Sequence, residues 1–151
     1  MTTTESRSFI DNYFQLYPGI REFIENTKVK AKKDGYVTTL LNRRRYLPEL
    51  QSKDQNIRKF GERTAINTVI QGTAADLIKV AMIHIHQWLQ LNKYETRMIL
   101  QVHDELVFDV PKKELEKIKK NIKLLMESAF PDIHVPLKVD VGVGDNWFEA
   151  H

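Results

Sequence analysis

The stretch Gln101-Val102-His103-Asp104-Glu105-Leu106-Val107-Phe108 decides the fold of the C-terminal half of this 151-residue chain. Apolar residues that suit a pleated, half-buried surface flank a short polar stretch, so residues 97–110 are predicted to form a β-hairpin. The polar residues 103–105 would then lie at its tip. Tight hairpins favour Asn-Gly or Asp-Gly in the turn, because those residues tolerate positive φ, and neither pair occurs here. The tip therefore points to a role beyond turning the chain.

Two adjacent carboxylates on a rigid turn are suited to binding a hard cation. Mg²⁺ takes a few carboxylate oxygens and leaves its remaining positions to water and phosphate. Asp104 and Glu105 are thus candidate catalytic residues and metal ligands. Asp and Glu are also common in exposed turns, so these residues alone leave a metal site and an ordinary turn as equal alternatives.

The composition indicates a folded protein that forms one domain or part of a larger one. Hydrophobic residues make up 42% of the chain and charged residues 28%. The N-terminus lacks the basic and apolar regions of a signal peptide, and no apolar run approaches the roughly 20 residues of a membrane span. The absence of cysteine excludes disulfides and thiolate chemistry. We therefore expect a soluble protein with no membrane partner.

Positive charge is concentrated in one part of the sequence. Residues 28–63 contain eleven Lys or Arg and four Asp or Glu, a local net charge of +7, whereas the remaining residues sum to −4. Such a segment can neutralise several phosphates, which predicts binding to a polyanion that weakens with salt. A solvated basic surface without a partner is the alternative.

The remaining patterns predict an α+β fold. Helical periodicity before and after Pro18-Gly19 predicts two short amphipathic helices, followed by a strand over residues 36–41 and a loop over 51–56. Longer apolar stripes predict helices over residues 57–91 and 111–130. Alternation of apolar and polar residues predicts a third strand over 135–143. The expected architecture is a small antiparallel sheet, formed by hairpin 97–110 and strand 135–143, backed by helices and preceded by a helical subregion.

The long helix also carries a polar stripe. Arg63, Asn67 and Gln71 are four residues apart and so fall within about 80° of one face. The DNA minor groove presents acceptors at purine N3 and pyrimidine O2 whichever base pair is present, so a row of donors can sense pair geometry without reading sequence. Three polar residues facing solvent are the simpler alternative. The small residues around Gly72 favour the first interpretation, because they permit close approach of a backbone or a ligand.

Five ordered segments resemble family A DNA polymerases, specifically the C-terminal part of the bacterial enzymes. They occur in that family's order and span nearly the whole chain. The segments are Arg43-Arg44-Arg45-Tyr46-Leu47-Pro48, Glu62-Arg63-Thr64-Ala65-Ile66-Asn67, Gln71-Gly72-Thr73-Ala74-Ala75-Asp76, Gln101-Val102-His103-Asp104-Glu105-Leu106-Val107-Phe108 and Gly144-Asp145-Asn146-Trp147.

The resemblance implies roles for individual residues. Asp104 would be a palm-domain aspartate that binds the catalytic Mg²⁺ ions, and Glu105 a supporting carboxylate. His103 would lie near the primer terminus. The stripe of Arg63, Asn67 and Gln71 would contact the minor groove of the primer-template. Residues 1–59 would correspond to the base of the fingers and residues 60–151 to the C-terminal part of the palm.

The resemblance also implies what this segment lacks. The family takes a second metal-binding aspartate from an Asp-Tyr-Ser-Gln-Ile-Glu-Leu-Arg segment and grips the incoming nucleotide with a fingers helix, and neither occurs in this sequence. The implied parent is a cytoplasmic, nucleoid-associated DNA-directed DNA polymerase of replication and repair. Its partners are primer-template DNA, deoxynucleoside triphosphates and the remaining polymerase domains. The two-metal site would be completed only by residues outside this chain, so we expect the isolated chain to be inactive.

Two other functions are compatible with the residues alone. A small metal-dependent nuclease could use His103, Asp104 and Glu105, but it would need a third acid, for which Asp140 is the candidate. A noncatalytic DNA-binding module would explain the basic segment 28–63.

Overall fold

A computed structural model describes residues 2–150 and contains mainly helices with two short hairpins. The helices are α1 (Thr3–Leu16), α2 (Pro18–Asp34), α3 (Gln55–Leu91), α4 (Leu115–Glu127) and α5 (Trp147–Ala150), with a 3-10 helix at Pro48–Gln51. The strands are β1 (Tyr36–Thr38), β2 (Arg44–Tyr46), β3 (Arg97–Val102) and β4 (Glu105–Asp109). The predicted α+β class is confirmed, as are the two opening helices and the long helix.

The chain divides into two compact units, one ending at Thr73 and the other beginning at Ala74. The boundary predicted at residues 59 and 60 concerns fingers and palm of a larger protein and stays a prediction. Of the described helices, α3 alone is long and apolar enough to cross a membrane by length and composition. The central helix of a soluble protein passes the same test, and α3 contributes buried side chains to the apolar clusters of both units.

The first unit is built around the β1–β2 hairpin and the start of α3. Helix α2 ends at Gly35, whose φ of 76° is a left-handed conformation that glycine adopts without strain. Strands β1 and β2 pair in an antiparallel register. The strand predicted over residues 36–41 is shorter, because the pairing ends at Thr38. Asp54 begins α3 by accepting hydrogen bonds from the backbone N–H groups of Asn56 and Ile57. The apolar cluster of this unit comprises Ala31, Val37, Leu47, Leu50 and Ala65.

The second unit packs the β3–β4 hairpin and α4 against the C-terminal half of α3. Strand β3 pairs with β4 in an antiparallel register from Arg97 opposite Asp109 to Val102 opposite Glu105, which confirms the hairpin predicted over residues 97–110. The buried members of its core are Ile85, Leu89, Ile118 and Ile122. The apolar stripe of α4 supplies Ile118 and Ile122. The helix is shorter than the predicted 111–130, because residues 111–114 form a turn and the helix ends at Glu127.

The predicted third strand over residues 135–143 is wrong, because that segment pairs with no strand in the described chain. The backbone N–H of Val139 donates to the Glu127 side chain at 3.1 Å instead of to a neighbouring strand. Both ends of the segment are exposed, with Val135 at 69% and Val143 at 49% of full exposure. Residues 135–143 thus alternate between apolar and polar side chains but lack the neighbouring strand with which a β-strand must pair.

Candidate functional site

The tip of the β3–β4 hairpin is a two-residue loop. Val102 and Glu105 are paired, so His103 and Asp104 make the whole turn. His103 has a φ of 51°, a left-handed conformation that costs a residue with a side chain roughly 1–2 kcal/mol. The Gln101 side-chain amide donates to the His103 carbonyl at 2.6 Å and helps to hold this conformation. The tip is therefore a strained turn that a hydrogen bond holds in place, and strained backbone of this kind is concentrated at functional sites.

The acid pair lies where the prediction placed it. Asp104 is exposed in the turn and Glu105 is partly buried as the first residue of β4. No group of three or more His, Cys, Asp or Glu residues that could hold a metal ion occurs within residues 2–150. The carboxylate donors suit Mg²⁺ chemically, since this ion is commonly bound by one or two carboxylates together with substrate phosphates. Asp104 and Glu105 thus fit part of a magnesium site and not a complete one.

Asp140 does not complete this pair. It borders a shallow depression on the outer face of α4, together with Glu116, Lys119, Lys120, Lys123 and Val141. The three-acid cluster that a small nuclease would need is therefore not formed by the described part of the chain.

The polar stripe predicted on the long helix exists in the first unit. Arg63, Asn67 and Gln71 are all exposed on α3, and Ala65 on the other side of the helix is completely buried. The three side chains thus point away from the core of the unit, and their hydrogen-bond donors are accessible from solvent. Such an arrangement can offer hydrogen bonds in a row to an extended ligand.

The close approach expected at Gly72 is made by the protein itself. A Cβ at Gly72 would lie 2.7 Å from the Thr39 Cγ2, so the β1–β2 loop packs directly on the α3 backbone. The Arg43 guanidinium donates to the Gly72 carbonyl at 3.3 Å. The Thr73 hydroxyl accepts the Leu40 backbone N–H at 3.1 Å. Glycine at position 72 therefore allows the β1–β2 loop to attach to α3, one residue beyond Gln71. The periodicity of the sequence did not indicate this contact.

The basic segment forms an exposed surface of the first unit. Among the Lys and Arg side chains of residues 28–63, only two are partly buried. Lys28 pairs with Glu25 at 2.9 Å, and Arg58 donates to the Ser52 carbonyl at 2.8 Å. The others are open to solvent, as both the predicted polyanion-binding surface and the alternative of a solvated basic surface require. This surface and the stripe belong to the first unit, whereas His103, Asp104 and Glu105 belong to the second.

An acid pair at a hairpin tip in one unit, and exposed basic side chains with a row of donors in the other, are features typical of proteins that bind nucleic acids. The sequence model of DNA polymerase family A matches residues 1–149, and the chain belongs to this family.

Known proteins resemble the chain along nearly its full length. It is 47% identical to DNA polymerase I of Geobacillus stearothermophilus over 150 residues, which are 99% of this chain and 17% of the relative. It is 48% identical to DNA polymerase I of Bacillus subtilis strain 168 over 150 residues, again 99% and 17%. The POL domain of Pol1 from M. smegmatis, solved in complex with DNA primer-template and dNTP, superposes with a TM-score of 0.94 at 42% identity. That match covers 99% of this chain and 26% of the M. smegmatis chain. The chain thus spans about a sixth of the length of the curated relatives.

Proposed function

We propose that this chain acts as part of a DNA-directed DNA polymerase, which transfers deoxynucleotides to a primer 3′-hydroxyl under direction of a template. The observation that carries the proposal is the superposition of 99% of the chain, at a TM-score of 0.94, on a polymerase domain in complex with primer-template and dNTP. The partners would be DNA, deoxynucleoside triphosphates and the remaining polymerase domains, in the bacterial cytoplasm at the nucleoid. Replication and repair are the processes that such a reaction serves.

The hairpin tip supplies the acidic part of the reaction centre. Asp104 would bind catalytic Mg²⁺ and Glu105 would support it, since carboxylates are the donors that this ion prefers. Bound in pairs, such ions stabilise the attacking and leaving oxygens of a phosphoryl transfer. His103 would face the primer terminus, in a position fixed by its left-handed turn and the Gln101 hydrogen bond.

The stripe on α3 supplies the check on base pairing. Arg63, Asn67 and Gln71 would donate to minor-groove acceptors, which are similarly placed in every correct pair. Their exposure in the first unit leaves these donors accessible. A mispaired primer end displaces the acceptors, so it would lose hydrogen bonds that a correct end retains.

The isolated chain should bind DNA but should not polymerise. Its described residues contain no group of three His, Cys, Asp or Glu that could hold a metal ion, so a metal bound at Asp104 and Glu105 has no third side-chain ligand of these types. Like charges on adjacent carboxylates add to this deficit. Primer extension above background by the purified 151-residue protein, free of host polymerase, would contradict this part of the proposal.

A chimera tests the proposal directly. The matched segment of the Bacillus subtilis enzyme, 150 residues long and 48% identical, is replaced by the corresponding residues of this chain. We expect the chimera to extend a primer, and the same chimera with Asp104→Asn to bind primer-template without extending it. A chimera that melts like the parent and binds primer-template but never extends it would refute the proposal.

One further function has support in the structure, namely a noncatalytic DNA-binding module. The exposed basic side chains of residues 28–63 favour it. Salt-dependent DNA binding by the chain, combined with a folded but inactive chimera, would distinguish this module from a polymerase part.

A further inference from the structure

Three side chains lie in contact, in a row, on the solvent face of the β1–β2 hairpin, and the planes of its two tyrosine rings are inclined at 60° to each other. Tyr36 lies opposite Tyr46 in the register, and their ring centroids are 5.7 Å apart. The Arg44 guanidinium carbon lies 4.9 Å from the centroid of the Tyr36 ring. Directly opposite residues of an antiparallel pair share a face, and so do alternate residues of one strand. Tyr46, Tyr36 and Arg44 therefore line one side of the hairpin. We call these three side chains the hairpin stack.

The hairpin stack is built on a fixed backbone. Val37, which follows Tyr36 in β1, is buried in the apolar cluster of the first unit. The Leu47 backbone N–H donates to the Gly35 carbonyl at 2.9 Å and closes the open end of the hairpin. At the other end, the loop is attached to α3 through Leu40 and Arg43. The stack is therefore preorganised and would lose little conformational freedom on binding a ligand.

The outer member of the stack faces solvent. Tyr46 is 67% exposed, so much of its ring is open to a ligand. Arg44, two residues before Tyr46 on the same short strand, is exposed on the same face and lies within the most basic segment of the chain. An open aromatic ring with a guanidinium group on the same face fits a ligand that has both flat rings and negative charge.

We propose that the hairpin stack binds an unpaired stretch of DNA, with a base stacked on Tyr46 and a neighbouring phosphate beside Arg44. The proposal rests on the proposed function in taking DNA as the ligand, and it assigns the single-stranded part of that ligand to a defined surface. A duplex keeps its base faces in its own stack, so an exposed tyrosine gains such a contact only with an unpaired base. An acidic peptide could pair with Arg44 but would leave the ring of Tyr46 without a partner.

The test measures binding of the purified chain by fluorescence anisotropy. The probes are a labelled oligothymidylate of about 12 nucleotides, within the usual site size for such surfaces, and a duplex of equal length. Tyr46→Ser should weaken oligothymidylate binding roughly fivefold or more while duplex binding stays within about twofold. Tyr46→Phe keeps the ring and should bind like the wild type. Arg44→Lys keeps the charge but not the planar stacking group, so it should weaken oligothymidylate binding alone.

Phe9 provides the matched control, because it is an aromatic residue of α1 with 66% exposure outside the basic segment. Phe9→Ser should leave both affinities unchanged, and far-UV circular dichroism should show an unaltered fold in every variant. Oligothymidylate binding unchanged in Tyr46→Ser, an equal loss on duplex and single strand, or no binding by the wild type would each overturn the proposal. No nucleotide transfer is measured, so an inactive chimera with an intact hairpin stack would refute the proposed function alone.

Discussion

The Glu114 carboxylate accepts two hydrogen bonds from Thr96, one from its backbone N–H at 3.1 Å and one from its hydroxyl at 2.7 Å. A third comes from the backbone N–H of Glu95 at 3.1 Å. Burial favours the neutral acid, but these donors favour the carboxylate more strongly, and the pKa of Glu114 lies below its ordinary value of 4.5. The start of α4 is thereby attached to the connection between α3 and β3.

Glu114→Gln should therefore destabilise the second unit at neutral pH. A carboxyl whose pKa is lowered by folding contributes stability above its unfolded pKa, and this contribution is lost as the pH falls through the folded value. Because glutamine resembles the protonated acid, the difference in the urea midpoint between wild type and variant should shrink as the pH is lowered. Glu116→Gln, at an exposed position in the same helical turn, is the control and should have little effect at any pH. A pH-independent difference would contradict the assigned carboxylate role.

Gly72→Ala should destabilise the first unit even though alanine favours helices. Replacing glycine by alanine within a helix normally gains about 0.5–1 kcal/mol. Here the added methyl would meet the Thr39 Cγ2 at 2.7 Å, and overpacking of this kind costs about 1–3 kcal/mol. We expect a net loss in the free energy of unfolding, measured by urea denaturation.

Thr39→Ser distinguishes a clash from a general weakening of the helix. Serine removes the methyl but keeps the hydroxyl, which accepts the Arg43 backbone N–H at 3.2 Å. In the double variant Thr39→Ser, Gly72→Ala, the loss should be largely recovered, so the two substitutions should couple favourably. Strict additivity of the two changes would show that the loop does not contact α3 at Gly72.

Features fixed by local spacing were predictable from the sequence. The helices and the β3–β4 hairpin follow from periodicity within about ten residues, and the stripe of Arg63, Asn67 and Gln71 follows from spacing along one helix. The strand over residues 135–143 was mispredicted because alternation indicates two faces and identifies no partner. In the fold, the Val139 N–H is bound by Glu127 instead. Strand β2 escaped prediction because Arg44–Tyr46 is exposed throughout and has no apolar alternation.

Contacts between distant residues escaped prediction. Nothing in the sequence near Glu114 indicates that it binds the backbone at residues 95 and 96, and nothing near Gly72 indicates Thr39, 33 residues earlier. At the hairpin tip, nothing in the sequence indicated the positive φ of His103, because neither Asn-Gly nor Asp-Gly occurs there. That no third acid joins Asp104 and Glu105 in the described chain depends on where all acidic residues lie in the fold, and no single motif shows it.

In the chimeric polymerase, Asp104→Asn should reduce primer extension by about 100-fold or more. Loss of a residue that only supports a metal ligand typically costs 10- to 100-fold, and a direct ligand should cost at least as much. Binding of primer-template should change little. Asp109→Asn is the matched control, because this acid is exposed at the far end of β4, the strand that follows Asp104. An Asp104→Asn chimera with a near-normal extension rate would refute the metal-ligand assignment.

In the same chimera, Gln71→Ala should weaken discrimination against a mismatched primer end. If Gln71 donates to a minor-groove acceptor that is buried beneath DNA, removing it costs about 1–3 kcal/mol on a matched end. A mismatched end has already lost that hydrogen bond, so its extension should change less. The ratio of matched to mismatched extension rates, measured in single-turnover experiments, should fall by roughly 5- to 150-fold.

Gln87→Ala supplies the comparison for Gln71→Ala, because Gln87 is exposed on the same helix and lies on a different face. It should leave the ratio unchanged, whereas Asn67→Ala, one turn before Gln71 in the stripe, should lower it. If all three variants change the ratio alike, the effect comes from the helix as a whole. Equal discrimination by wild type and Gln71→Ala would remove Gln71 from the surface that senses pair geometry.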